Sequence, residues 1–251
     1  MKNILNKFKI NEFTYILFLF ALLSGYFKEL LIVFVIVVFH ELGHVVFFSF
    51  FKIKINKVVI YPFGGITYID SKIHERIYKM IICSFGGIIF QIILYFVFNY
   101  LFNIGAISFY TFNLFLYFNY YIFIFNLLPI IPLDGSKILL YSLCSFISFY
   151  NSYRLYMLFS FIFILLFIYL NYIFKFNNYF IIGLLFVYLF KTVKNFKYVL
   201  NMFFIERFMY DHYYDDICYV DDYKYLKLNK FYYINYLSEK TYFRNMFKYW
   251  F

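Results

Sequence analysis

Leu30-Leu-Ile-Val-Phe-Val-Ile-Val-Val-Phe-His-Glu-Leu-Gly-His-Val-Val-Phe-Phe-Ser-Phe-Phe51 decides how this chain is read. The stretch has the length of one bilayer crossing, for which about 20 apolar residues suffice, yet His40, Glu41 and His44 stand inside it. A charged side chain at the bilayer centre costs roughly 2.5–3.5 kcal/mol on insertion scales, so a cluster with nothing to compensate it is not expected there. In a helix His40 and His44 lie one turn apart on one face. Both imidazoles then reach a single metal ion, and Glu41 lies beside it as a base. The H-E-x-x-H pattern inside a span points to zinc-dependent peptide hydrolysis within the membrane.

Working outward, the 251 residues are 65% hydrophobic and only 14% charged. Soluble domains are nearer half apolar and a quarter charged, so the composition is that of an integral membrane protein. The net charge of +10 does not argue for nucleic acid, because the basic residues flank apolar runs, as the positive-inside rule expects. Cys83, Cys144 and Cys218 are far apart and lack a C-x-x-C; they read as inert thiols. Met1 to Asn11 carries Lys2, Lys7 and Lys9 before an apolar run, and with no small-x-small cleavage site the run reads as an uncleaved first helix.

Six apolar runs follow one another: Phe13–Phe27, Leu30–Phe51, Met80–Asn103, Ile107–Leu127, Leu155–Phe174 and Tyr179–Phe190. Met80 to Leu133 contains no Asp, Glu, Lys, Arg or His, which fits a helical hairpin buried in lipid. Ile138–Tyr153 is also uncharged. Counting it as a seventh span would put Lys191, Lys194 and Lys197 on the face opposite Lys2, Lys7, Lys9 and the Lys52–Lys79 loop, so six spans are expected. The expectation is an all-α, multi-pass protein of the cell membrane with both termini cytoplasmic. Between spans two and three, Lys52 to Asp70 alternates and then turns through Pro62 and Gly64-Gly65, which predicts a β-hairpin at the membrane surface. Residues 1–194 form the expected membrane domain. Residues 195–251, rich in Tyr, Lys and Asp, form a short cytoplasmic tail.

Catalytic zinc keeps three protein ligands and one open position. Asp134 is the best third ligand in so charge-poor a chain. It closes Asn126-Leu-Leu-Pro-Ile-Ile-Pro-Leu-Asp-Gly135, which holds two of the three prolines. Pro129 and Pro132 force extended backbone, tolerable at membrane depth only against protein or water, and suited to aiming a carboxylate inward. Asn126 is placed to hydrogen-bond a ligand or the unwound backbone. His74, beside Glu75 and Arg76, reads as interfacial. Asp211, His212, Asp215, Asp216, Asp221 and Asp222 read as a solvated loop.

H-E-x-x-H in span two followed by N-x-x-P-x-x-P-x-D-G after span four resembles the site-2 proteases, intramembrane zinc metalloproteases. The resemblance implies that His40, His44 and Asp134 bind Zn²⁺, that Glu41 is the general base and that Asn126 helps position substrate. It further implies that the hairpin strand Pro62–Ile69, with Phe63, Gly64 and Gly65, receives an unwound substrate by strand addition. Gly86-Gly87 with Gln91 resembles the small-residue and amide pattern of the family's third core helix, without its usual proline. On its own this pattern reads as close helix packing. The P-F-G-G hairpin and the lack of a PDZ insertion are most similar to the branch of endospore formers that matures a pro-sigma factor. The tail is too short for the complete CBS domain often found there. The implied partners are a membrane-associated pro-protein substrate and regulatory membrane proteins.

Two rivals use the same residues. A zinc transporter or metal sensor needs ionisable groups along a pathway on several helices, and only Asp134 joins the histidines. A structural metal in an adaptor takes four protein ligands, and three are found.

Overall fold

The structure is a computed structural model that describes residues 7–61, 64–69, 77–174, 179–209, 217–228 and 230–248. Lys2, Pro62, Phe63, His74 and the acidic-tail residues Asp211, His212, Asp215 and Asp216 lie outside them. The chain divides into two compact units, 1–71 with 82–127, and 72–81 with 128–251.

In the first unit, strand β1 (Phe8–Ile10) leads into α1 (Glu12–Ser24) and α2 (Phe27–Phe50). The Asn11 side chain caps α1 by accepting from Phe13 N at 3.0 Å, which satisfies one of the orphan N–H groups of the first turn. Gly25 ends α1 in the left-handed conformation, φ 81°, where a side chain is strained. α2 is apolar over most of its circumference, as expected of a helix long enough to cross a membrane. Its buried stripe runs through Ile36, Val37, His40, Glu41, His44, Val45 and Phe48, the i, i+3, i+4 spacing of one face. H-E-x-x-H therefore faces inward.

Strands β2 (Ile55–Tyr61) and β3 (Gly64–Ile69) form the expected hairpin, antiparallel with Val58 opposite Thr67 and Ile60 opposite Gly65. β1 adds to β2 in parallel, Phe8 opposite Val58. The sheet order β1-β2-β3 leaves β3 at an edge. α3 (Ile77–Asn103) and α4 (Phe109–Leu127) follow. Phe98 stacks on Phe115 at 3.8 Å and Phe102 on Phe112 at 4.7 Å. Ile32, Ile36, Leu94 and Phe115 make the buried core beneath the histidines.

In the second unit, α5 (Asp134–Phe146) begins directly after the Pro129–Leu133 segment, and α6 (Phe149–Phe174) and α7 (Tyr179–Met209) follow. Ile138–Tyr153 is split between α5 and α6, and α5 is 13 residues long, about 20 Å, so no single helix covers that stretch. α7 runs unbroken past residue 195, where the composition changes. Strands β4 (Ile217–Val220), β5 (Phe231–Ile234) and β6 (Leu237–Ser238) form a second sheet in that order, closed by α8 (Glu239–Lys248). Lys227 Nζ donates to Phe146 O at 2.7 Å, and Phe149 N donates to Leu226 O at 3.0 Å. The tail thus satisfies backbone groups that the α5–α6 break would leave orphaned.

The protein is mostly helical, with small sheets. Among the described residues three helices, Phe27–Phe50, Ile77–Asn103 and Phe149–Ile173, are long and apolar enough to cross a membrane, and Glu12–Ser24 is a shorter apolar helix.

Candidate metal centre

The site begins with a close approach of two helices. At Gly43 on α2 and Gly86 on α3 the backbones nearly touch; a Cβ on Gly86 would lie 2.8 Å from Gly43 O. Only hydrogen fits between the chains there. That crossing presses Gly87 against the His40 ring, where a Cβ would stand 2.7 Å from Nδ1. It also sets two acceptors beside the histidines. Gln91 Oε1 lies 3.2 Å from His40 Nδ1, and Cys83 O lies 2.8 Å from His44 Nδ1.

A carbonyl oxygen accepts and cannot donate, so each Nδ1 carries the hydrogen and each Nε2 is left with a lone pair. The two Nε2 atoms face each other 3.1 Å apart. Two lone pairs at that distance repel unless a cation is shared between them. Zinc–nitrogen bonds of about 2.0–2.1 Å at a tetrahedral angle would separate the nitrogens by about 3.3–3.4 Å, close to what is found. The donor set fits a metal.

Glu41 sits on the same buried face, one residue from His40. The Thr67 hydroxyl donates to Glu41 Oε2 at 3.1 Å, and Gly65 lies so close that a Cβ would stand 2.8 Å from Oε1. Gly65 and Thr67 are two apart on β3 and so share a face. The hairpin strand is therefore laid along the carboxylate.

Asp134 is the first residue of α5, where the positive end of the helix dipole favours an ionised carboxylate. Lys137 Nζ contacts its Oδ1 at 2.8 Å. Ser160 on α6 donates to Pro129 O at 3.2 Å, and Ser136 Oγ donates to Leu133 O at 2.7 Å. These bonds tie down a segment whose prolines cannot donate. His40, His44 and Asp134 are all buried. Asn126 is half-buried in the last turn of α4, and Gly64 starts β3.

Residues 28–107, which carry both histidines, Glu41, the hairpin and the glycine crossing, match the family model Peptidase family M50. That segment is similar to peptidase family M50. The chain is 33% identical over 148 residues, 59% of its length, to stage IV sporulation protein FB of Bacillus subtilis (strain 168). The match spans 51% of that curated relative, about half. The fold is similar to that of the Site-2 Protease from Methanocaldococcus jannaschii, with a TM-score of 0.55 at 22% identity, covering 75% of this chain and 90% of that one. The family that this segment matches implies a metal, the apolar helices make this a membrane protein, and the facing nitrogens of His40 and His44 are where a metal fits.

Sequence reasoning missed Thr67 and Cys83 as participants and read Gln91 as packing. The alternation of β3 puts Thr67 on the face of Gly65, a signal that was present. Cys83 acts through its backbone, which no side-chain pattern reports.

Proposed function

We propose that this chain is a zinc-dependent intramembrane endopeptidase that cleaves a membrane-associated pro-protein, such as an inactive sporulation sigma factor. The convergence of two tautomer-fixed Nε2 atoms beside a strand-covered glutamate carries the reading. His40, His44 and Asp134 would hold the ion, which when bound would supply Lewis acidity and lower the pKa of a water to about 7.

The chain's own residues do the rest. Glu41 takes the water proton and returns it to the leaving amine; with Thr67 donating to Oε2, Oε1 is the oxygen placed for that transfer. A substrate helix hides its carbonyls in hydrogen bonds, so it must unwind. The β3 edge, bare of side chains at Gly64 and Gly65, compensates by pairing with the extended chain, with Phe63 and Asn126 as further contacts. Six crossings, α1, α2, α3, α4, α6 and α7, with both termini and the Lys52–Lys79 loop cytoplasmic, complete the proposal, and the tail from residue 195 docks the soluble part of the substrate.

Co-expression with membrane-tethered pro-sigma factors, read by gel, tests the activity. Glu41→Gln should keep fold and metal while cleavage stops, because the near-isosteric amide cannot take the proton. Turnover retained in that variant would remove Glu41 as the base.

A further inference from the structure

Gln91 is fully buried in α3. Its Oε1 faces His40 Nδ1, while its Nε2 has no hydrogen-bond partner among the described residues. An apolar side chain of the same length would fill the space without leaving a buried N–H unpaired, so packing alone does not account for an amide here.

The two histidines differ in what holds them. The partner of His44 is a backbone carbonyl, which only accepts and so fixes Nδ1–H. The partner of His40 is an amide, which offers either an acceptor or a donor. With Oε1 toward the ring, Nδ1 keeps the hydrogen and Nε2 presents a lone pair. With Nε2 of the amide toward the ring, the hydrogen would move to the ring's Nε2, where it would point at His44 Nε2 across the same 3.1 Å and close the site as a histidine–histidine hydrogen bond. The orientation present leaves the amide N–H unpaired instead of the ligand. Gly87, one turn earlier on the same face of α3, makes this reach short by letting the backbone lie against the ring.

We propose that Gln91 is a positioning residue that selects the Nδ1–H tautomer of His40 and turns its Nε2 lone pair toward the metal. This rests on the metal-site reading above. Partners of this kind typically change metal affinity 10–100-fold when lost.

The test uses the full purified chain, with zinc affinity from chelator competition and the cobalt(II) absorption spectrum as readouts. Gln91→Met, similar in length but unable to accept, should bind zinc 10–100-fold more weakly with an altered cobalt spectrum, while thermal stability of the metal-free protein holds or rises. Gln91→Glu, which still accepts from Nδ1–H, should keep the wild-type affinity. If Gln91→Met also loses stability, Gln91→Glu decides: retained affinity supports the proposal, and loss equal to that of Gln91→Met overturns it. His44→Ala separates the two levels. If it binds metal like wild type, the metal-site reading fails. If it loses metal while Gln91→Met keeps wild-type affinity and spectrum, Gln91 has no positioning role and the metal site stands.

Discussion

Two buried polar clusters in this protein are built on opposite plans. On α7 and α8, Arg207 Nη1 donates to Glu239 Oε1 at 2.6 Å, Arg207 Nη2 reaches Lys230 O at 3.0 Å, and Tyr232 N donates to the same glutamate at 2.7 Å. Burial holds the Glu239 carboxyl above its ordinary value, while the charge of Arg207 and the hydrogen bonds from Tyr232 and Arg207 pull it down. That cluster answers its charges internally and closes the tail sheet onto α7. On α2, His40, Glu41 and His44 meet a side-chain amide, a hydroxyl and a backbone carbonyl. Those partners orient the three side chains and leave two nitrogens aimed at one point. The first arrangement holds structure; the second is prepared for something that binds.

The contrast can be broken at its sharpest point by Glu41→Gln. Loss of a general base typically costs 10²- to 10⁴-fold in rate, and here the loss should come with full metal content and unchanged thermal stability. Glu239→Ala should do the reverse. It strands Arg207, whose side chain is 1% exposed, and breaking a buried pair costs about 3–5 kcal/mol. Limited proteolysis should then cut within 217–248 while metal binding persists. Gly43→Ala, pushing a methyl into the α3 backbone, should destabilise by about 1–3 kcal/mol, seen as a lowered Tm. Thr67→Val should slow cleavage roughly tenfold, the equivalent of about 1.4 kcal/mol, with metal affinity unchanged. An equal fall in affinity would mean that Thr67 supports the ligands and not the base.

Much of this was legible because charge in an apolar run is conspicuous. His40, Glu41, His44 and Asp134 stood out against a lipid-like background, and the double proline marked where α5 begins. Ile138–Tyr153 was set aside on charge asymmetry alone, and the break at Ile147 and Ser148 that divides it carries neither Pro nor Gly. The parallel pairing of β1 with β2 was not legible, because three residues joined to a strand about fifty positions away leave no local pattern. The roles of Gln91 and Cys83 depend on the Gly43–Gly86 crossing, a tertiary contact that fixes which turn of α3 meets which histidine. The tail strands, two to four residues each, are too short to announce themselves by alternation.

The central claim is that His40, His44 and Asp134 hold one metal ion. Elemental analysis of the purified chain tests it most directly, with Asp134→Ala beside the wild type. The account predicts close to one zinc per wild-type chain and strong loss in the variant, with helical content preserved. Full metal content and full cleavage in Asp134→Ala would contradict it.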